Sequence, residues 1–263
     1  MRKRKLTIAV CAIALVISYF NLLDIEAHAL SDSVEAKVVE VASKDTATGV
    51  EKTLMITSGS NPGGNYSSAA PSAVAYVNVS VSGAVSAVNG NVTCIGTANN
   101  TSLTIRLQSL ATGGVWTTQR SSSGVSFRTD KSISVCKNTT QTRYWRINLS
   151  GIYVGNTINY STNGVLFNAK AVRYPLVLEV YSGKKLLSPP TNYIVKQTPR
   201  DSYYRSKYIS NFEGTYPKAN VTWSNYQIHH IRPLKYGGTN SLFNGIAITN
   251  AQHSLLTKWW INY

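Results

Sequence analysis

The sequence predicts a chain of two domains, an all-β sandwich followed by a smaller α+β domain at the C-terminus. The first observation is an alternation of apolar and polar residues in short runs between residues 77 and 149, which is the period of half-buried strands. The second is a change near residue 185, where a Ser/Thr/Val/Asn-rich region gives way to more prolines and charges. The third is that all histidines past residue 29 lie in the last thirty-five residues.

The first 29 residues have the features of a secretory signal peptide. Residues 1–5 are positively charged, residues 6–20 are apolar, and Ala27-His28-Ala29 is a small-x-small pattern suited to signal peptidase. We therefore predict cleavage after Ala29 and a secreted, extracellular protein with no stable membrane span. An uncleaved membrane anchor is the alternative, because the apolar run continued to Leu23 is almost long enough to cross a bilayer.

The region after the signal predicts a flexible segment and then the β-sandwich. Residues 30–72 end in a loop rich in serine, glycine and asparagine, which predicts a flexible N-terminal segment and linker. Residues 77–81, 103–107 and 145–149 read as strands separated by Gly and Asn clusters. We therefore predict an antiparallel sandwich of the general immunoglobulin-like kind over residues 73–181.

Two cysteines and two tryptophans complete the prediction for this region. Cys94 and Cys136 are the only cysteines past the signal, and an even pair in an exported chain predicts a disulfide. A redox pair is the alternative for them. Trp116 and Trp145 are interpreted as core residues.

The net charge indicates a polyanionic partner. The chain has 26 Lys and Arg against 11 Asp and Glu, a net charge of +15, and signal cleavage leaves about +13. Residues 214–263 contain no Asp or Glu, which excludes the two-carboxylate mechanisms of glycosidases and aspartic proteases there. Nucleic acid is the first candidate, and a wall polymer or an anionic membrane would be attracted by the same charge.

The C-terminal domain is predicted over residues 197–263, after an interdomain linker of residues 182–196. Tyrosine and isoleucine at helical spacings predict a short helix at 202–212. We then expect a strand around 227–231, a tight loop that begins at Pro233 and contains Gly237-Gly238, a second strand at 245–249 and a helix from Ala251 to about Trp260, capped by Asn250.

The three histidines lie at the two ends of this strand, loop, strand and helix. His229 and His230 are neighbours in a strand and point to opposite faces, so we expect one to bind a metal and the other to exchange a proton. His253 lies in the first turn of the predicted helix and can complete the metal site. The amides of that turn and Arg232 favour a phosphate in the gap between them.

This arrangement resembles the HNH nuclease superfamily with its ββα-metal fold, and in particular the HH-type secreted and toxin nucleases related to the colicin DNases. The resemblance covers residues 197–263 only. It rests on these residues and their spacings: His229-His230-x-x-Pro233, Gly237-Gly238, Asn244 and His253.

The resemblance implies the roles of the site residues. His229 and His253 become metal ligands, His230 the general base, and Asn244 either holds His230 in position or contributes to the metal site. The colicin-type site has a further histidine where this chain has Thr257, which predicts a more open metal site. The implied cofactor is one divalent ion, Mg²⁺, Mn²⁺, Ni²⁺ or Zn²⁺.

The leading hypothesis is a secreted, metal-dependent HNH endonuclease, an enzyme that hydrolyses DNA in preference to RNA with little sequence specificity. Arg232 and Lys235 are predicted to bind backbone phosphates. The alternative is a cell-surface or wall-binding β-sandwich protein with an inactive, metal-stabilised C-terminal unit. A receptor or wall polymer as the partner of the sandwich, an inhibitor protein, the biological purpose (toxin, scavenging or defence) and the oligomeric state are left open.

Overall fold

The computed structural model of the chain describes residues 37–57, 74–95, 101–110, 114–126, 132–153 and 156–263. The predicted signal peptide and the predicted loop of residues 58–72 lie outside these residues, and the expectation of secretion rests on the sequence alone. Among the helices in the described part, none has the length and the apolar character needed to cross a membrane.

Two five-stranded antiparallel sheets make up most of the structure. The strands of the first sheet are β1 (Lys37–Asp45), β2 (Gly49–Thr57), β3 (Val74–Ala84), β4 (Ala87–Ile95) and β7 (Ser132–Asn138), in the order β1-β2-β3-β4-β7. The prediction of a flexible segment over residues 30–72 is therefore wrong for residues 37–57, which form β1 and β2 and pair with β3. The strands of the second are β5 (Ser102–Leu110), β6 (Trp116–Ser126), β8 (Arg143–Tyr153), β9 (Asn156–Ser161) and β10 (Val165–Phe167). Its order is β10-β8-β5-β6, and β9 also pairs with β8.

The two sheets pack face to face over one hydrophobic core. Burial alternates along β5 and β8, so the strands predicted at 77–81, 103–107 and 145–149 are confirmed as parts of β3, β5 and β8. The inner faces approach so closely at Gly90 that a Cβ there would lie 2.1 Å from Cδ1 of Ile147. Trp145 belongs to this core and is buried as predicted.

The prediction that Trp116 is a core residue is wrong. The residue is only half-buried, and its ring lies under the guanidinium of Arg146, with the Cζ 4.3 Å from the ring centroid. Its strand, β6, is the last in its sheet and pairs only with β5. Arg146 occupies an outward position on β8, so Trp116 lies on the outer face of the sheet and not in the core between the sheets.

The predicted disulfide is also wrong, because Cys94 and Cys136 are both free thiols. The strand register explains why. Cys136 lies opposite Asn89 on β4, five residues from Cys94, which is roughly 16 Å along a strand. A disulfide requires Cα atoms within about 7 Å. Cys94 is moreover buried in the core while Cys136 is exposed, so the two side chains lie on opposite faces of the sheet.

The C-terminal part contains the two helices of the described residues and a two-stranded ribbon. Helix α1 (Tyr204–Thr215) is followed by β11 (Tyr226–His230), β12 (Gly245–Thr249) and helix α2 (Asn250–Ile261). The predicted strands and both predicted helices are therefore confirmed within a few residues. The predicted cap is shifted by one position: Thr249, not Asn250, caps α2, in a reciprocal capping box with Gln252.

The predicted fold class is wrong. The described residues are mostly β-sheet with only two short helices, and no α+β HNH domain is shown. The sandwich is not immunoglobulin-like in its order either, since four strands consecutive in the chain, β1 to β4, lie side by side in one sheet. The described residues of this part of the chain, from Lys37 to Tyr263, form one compact unit.

The C-terminal part does not form a separate domain, because the ribbon and α2 are too small to bury a hydrophobic core alone. The buried face of α2, which includes Trp259 and Trp260, packs on Tyr174 and Leu186 from the chain that follows the second sheet. Trp259 Nε1 donates to the carbonyl of Val172 at 2.9 Å. The predicted linker of residues 182–196 is part of this packing, because Lys184 Nζ donates to the carbonyls of Phe243 and Gly245 and the Tyr193 amide to the Tyr263 hydroxyl.

Candidate functional site

The ribbon and α2 bring the three histidines to one cleft of about 510 Å³. In the ribbon, His229 pairs with Ile246 and His230 with Gly245. Because β12 runs directly into α2, the first turn of the helix returns beside β11 and carries His253. The local order of strand, strand and helix thus places all three imidazoles along the cleft wall.

The loop between the two strands has the tight geometry that its glycines predicted. Gly237 has a φ of +80°, a backbone conformation that side chains other than glycine rarely adopt. A Cβ at Gly238 would lie 1.9 Å from the carbonyl oxygen of Arg232. The amides of Gly237 and Gly238 close the turn by donating to the carbonyls of Leu234 and Pro233.

His229 and His253 face each other across the gap between β11 and α2. Their ring centroids are 5.5 Å apart and their planes lie at 78°. The His229 side chain is buried, and its Nε2 atom has no hydrogen-bond partner in the described part of the chain. Burial lowers the pKa of His229 to about 4, with smaller effects of His253 and His230. The imidazole is therefore neutral at physiological pH and keeps a free lone pair.

This pair fits one divalent ion. Two imidazoles on a tetrahedral ion, with metal–nitrogen bonds of about 2.0–2.1 Å, have ring centroids roughly 5 Å apart, close to the separation here. Within the described residues no group of three or more His, Cys, Asp or Glu side chains is placed to hold a metal. The protein would therefore supply two ligands, leaving the other positions to water or substrate. Thr257 lines the cleft at the position where the resemblance would have a third histidine.

His230 lies on the other face of β11, against helix α1. Its ring stacks on the ring of Tyr204, with centroids 4.2 Å apart and planes at 16°. The ring lines the cleft, although its Nε2 atom is buried and has no hydrogen-bond partner among the described residues. Burial and then the charge of Arg200 lower the pKa of His230, while a hydrogen bond with the Asn240 side chain raises it.

Arg200 is the cleft residue that sequence reasoning missed. It lines the cleft, and its charge lowers the pKa of both His230 and His253, after the effect of burial. The neighbouring Asp201 does not neutralise it, because Oδ2 of that carboxylate pairs with Lys207 at 2.7 Å. Nothing in the local sequence distinguishes Arg200 from the other basic residues of the chain.

Long-range hydrogen bonds hold Arg200 in place. The amides of Lys196 and Thr198 donate to the carbonyls of Lys235 and Leu234, both at 2.9 Å. Asn240 Oδ1 accepts from the Asp201 amide, and its Nδ2 donates to the Pro199 carbonyl at 2.8 Å. Asn240 therefore connects the backbone on both sides of Arg200 with His230.

Of the two residues that were predicted to bind phosphate, one lines the cleft and the other does not. Lys235 lines the cleft, as that role requires. Arg232 does not: its guanidinium lies 4.4 Å over the ring of Tyr193, and its Nε donates to the Tyr236 carbonyl at 2.7 Å. Arg232 stabilises the loop, and Arg200 takes its place at the cleft.

Asn244 likewise stabilises the loop. Its Oδ1 accepts from the Arg232 amide at 2.9 Å, and its Nδ2 donates to the carbonyls of Arg232 and Thr239. These bonds close the loop between the strands just after His230. The side chain that hydrogen-bonds to His230 is that of Asn240. Asn240 thus has one of the two roles that the resemblance implied for Asn244, which is to hold His230 in position.

The cleft has the electrostatic character of an anion site. Within the part of the chain that the structure describes, no Asp or Glu lines it, whereas Arg200 and Lys235 do, beside imidazoles whose pKa values are lowered. A negatively charged ligand would meet fixed positive charge and no carboxylate there. No family model, no curated protein and no solved structure matches this chain.

Proposed function

We propose that the chain is a metal-dependent endonuclease that hydrolyses nucleic-acid phosphodiester bonds in the histidine cleft. The observation that carries the proposal is the convergence of His229 and His253, 5.5 Å apart, in a cleft lined by Arg200 and Lys235 and by no carboxylate. An imidazole pair suits a divalent ion, and the basic lining suits the phosphate. The sequence resemblance to HH-type nucleases supports the same reaction.

In this proposal His229 and His253 hold the ion, which is Mg²⁺, Mn²⁺, Ni²⁺ or Zn²⁺. A divalent ion supplies stabilisation of negative charge on the phosphoryl group and on the departing oxygen. Arg200 and Lys235 orient the phosphate by charge, and their contacts with the backbone carry no sequence information, which favours a non-specific nuclease.

His230 acts as the general base. Its lowered pKa keeps the ring neutral at physiological pH, so that a ring nitrogen can take a proton from water. The Tyr204 ring and the Asn240 side chain fix the plane of the imidazole. The resemblance leads us to expect products with 5′-phosphate and 3′-hydroxyl ends, and DNA as a better substrate than RNA.

Nicking of supercoiled plasmid tests the proposal. We expect the purified chain to nick plasmid with at least one of the four ions, and a chelator to stop the reaction. His230→Ala should lower the rate by roughly 100-fold or more, because general-base catalysis contributes about 10²–10⁴-fold. Gln227→Ala is the matched control, since Gln227 lies on the same strand with an exposed side chain.

Two results would overturn the proposal. One is the absence of nicking with every ion by a chain that circular dichroism shows to be folded. The other is a folded His230→Ala variant as active as Gln227→Ala. Nicking that persists in chelator would remove the role of the metal.

A further inference from the structure

The outer face of the second sheet is polar, and the strands that form it carry no negative charge. Its strands β5, β6, β8 and β9 contain no Asp or Glu. Along β5 and β8 every second residue is buried in the core, and the residues between them point outward. These outward residues include Arg106 and Gln108 on β5 and Arg146 and Asn148 on β8. The composition of this face therefore differs from an ordinary solvated surface, which mixes both signs of charge.

Neutral partners hold the two arginines in place. Arg106 NH1 donates to the Ser150 hydroxyl at 2.6 Å and to Asn148 Oδ1 at 3.3 Å. Arg146 Nε donates to Gln108 Oε1 at 2.8 Å. The ion pairs formed by the described residues involve Lys52, Arg173 and Lys207, so neither arginine is neutralised by a carboxylate there. Both guanidinium groups are ordered before any ligand arrives and keep their full charge.

An aromatic platform adjoins the charges. The Arg146 guanidinium lies 4.3 Å over the ring of the half-buried Trp116. The register places Arg106 opposite Asn148 and Gln108 opposite Arg146, so the two arginines are diagonal neighbours on adjacent strands, with Cα atoms about 7–8 Å apart. Both guanidinium groups therefore lie on the same face of the sheet, beside the ring of Trp116.

We propose that this face, defined by Arg106, Trp116 and Arg146, binds single-stranded nucleic acid. Arg106 and Arg146 each take a phosphate of the same strand, and a base stacks on the platform of Trp116 and Arg146. A flat basic sheet with an aromatic ring is the kind of surface on which unpaired bases stack. The aromatic ring favours nucleic acid over a polyanion without bases, since such a polymer could use only the arginines.

The inference goes beyond the proposed function, because it assigns a binding role to the β-sandwich and requires neither the metal nor the histidines. Anisotropy of a fluorescently labelled oligothymidylate of about 20 nucleotides, titrated with the purified chain in chelator, tests it. The chelator prevents metal-dependent cleavage, so failure of the nuclease proposal and failure of this one are distinguishable.

The double variant Arg106→Gln/Arg146→Gln should raise the Kd by roughly 10-fold or more and reduce the slope of log K against log salt by about 1.4, since each phosphate contact on a single strand contributes about 0.7. Trp116→Ala should raise the Kd by roughly 5- to 100-fold, the loss expected for one stacked base. The matched control is Lys44→Gln/Lys170→Gln, which removes two exposed charges elsewhere. We expect its Kd to stay within about twofold of the wild type.

Three results would refute the proposal. The first is a double arginine variant that binds like the wild type, and the second is an equal loss of affinity in the double lysine variant. The third is competition by inorganic polyphosphate at equal charge concentration that is as strong as competition by unlabelled oligothymidylate, which would indicate a general polyanion surface. If Trp116→Ala does not fold, the arginine pair still decides between the outcomes.

Discussion

The rings of His230 and Tyr204 lie almost parallel, 4.2 Å apart, and this contact depends on the absence of a side chain at residue 245. Gly245 pairs with His230 in the ribbon. A Cβ at this position would lie 2.5 Å from the Tyr204 hydroxyl and 2.8 Å from the ring of Tyr208. Helix α1 can therefore approach the ribbon and cover His230 only because residue 245 is glycine.

Gly245→Ala should lower the free energy of unfolding by about 1–3 kcal/mol, because the new methyl group forces rigid aromatic rings apart. It should also lower nicking, since the ring of the proposed base loses its support. Urea unfolding and plasmid nicking measure the two effects. Gly214→Ala is the control, because a Cβ at Gly214, within α1, meets nothing within 4 Å. That variant should be neutral or more stable by up to about 1 kcal/mol. Equal losses of unfolding free energy for Gly245→Ala and Gly214→Ala would contradict the close approach of helix α1 to residue 245.

The metal ligands can be tested without any activity. We expect isothermal titration calorimetry to show binding of about one Zn²⁺ or Ni²⁺ ion per chain, and His229→Ala and His253→Ala each to weaken binding by 10-fold or more. The double variant should lose less binding free energy than the sum of the two single losses, because both substitutions damage the same site. Gln227→Ala should bind like the wild type. Independent, additive losses would mean that the two imidazoles do not share an ion.

Arg200 and Arg232 should respond differently to loss of their charge. Arg200→Gln should lower kcat/KM for nicking by roughly 10- to 100-fold, the range expected for one charged hydrogen bond to a phosphate. Arg232→Gln should instead lower the melting temperature, because its guanidinium bonds to the loop and packs on Tyr193. Nicking assays together with thermal unfolding separate these effects. The assignment of Arg200 fails if Arg232→Gln causes the larger loss of kcat/KM in a folded protein.

The stability of the metal-free chain should decrease in acid because of His229. The pKa of this residue is about 4 in the folded state, below its usual 6.5, mainly because burial disfavours the charged ring. Between these two values the unfolded chain binds a proton that the folded chain does not. The stability that His229 contributes is therefore complete above about pH 6.5 and is lost as the pH falls toward 4, by up to about 3 kcal/mol.

Urea unfolding in chelator at several pH values between about 7.5 and 4.5 measures this dependence. The comparison is with His229→Gln, which cannot take up the proton. We expect the free energy of unfolding of the wild type to fall more steeply in acid than that of the variant. The other titrating groups are common to both proteins and cancel in the difference, so parallel curves would show that His229 is not buried as described.

Short-range patterns account for what could be predicted from the sequence. The alternation in residues 103–107 and 145–149 marked two strands, because side chains on a strand alternate between core and solvent wherever it lies. Pro233 and the two glycines after it marked the loop between β11 and β12. The histidines of the site were found for the same reason, since a strand, a tight loop, a strand and a helix are all local structures.

The errors concern contacts between residues far apart in the chain. The free state of Cys94 and Cys136 depends on the register of β4 with β7, and the half-burial of Trp116 depends on the register of β6 with β5, which turns the residue to the outer face of its sheet. The predicted separate C-terminal domain failed because α2 buries its tryptophans against Tyr174 and Leu186. Residue count and composition cannot show which surfaces cover one another.

The sequence by itself determined three strands of the sandwich, both strands of the ribbon, the two helices, the spacing of the three histidines and the absence of Asp and Glu from residues 214–263, because each of these is a property of neighbouring residues. Only the tertiary structure decided which cations reach the cleft. Arg200 reaches it through backbone bonds from Lys196 and Thr198 to the loop and through Asn240, while Arg232 is turned away onto Tyr193. A side chain's partners depend on how distant segments pack, and packing is a property of the whole chain.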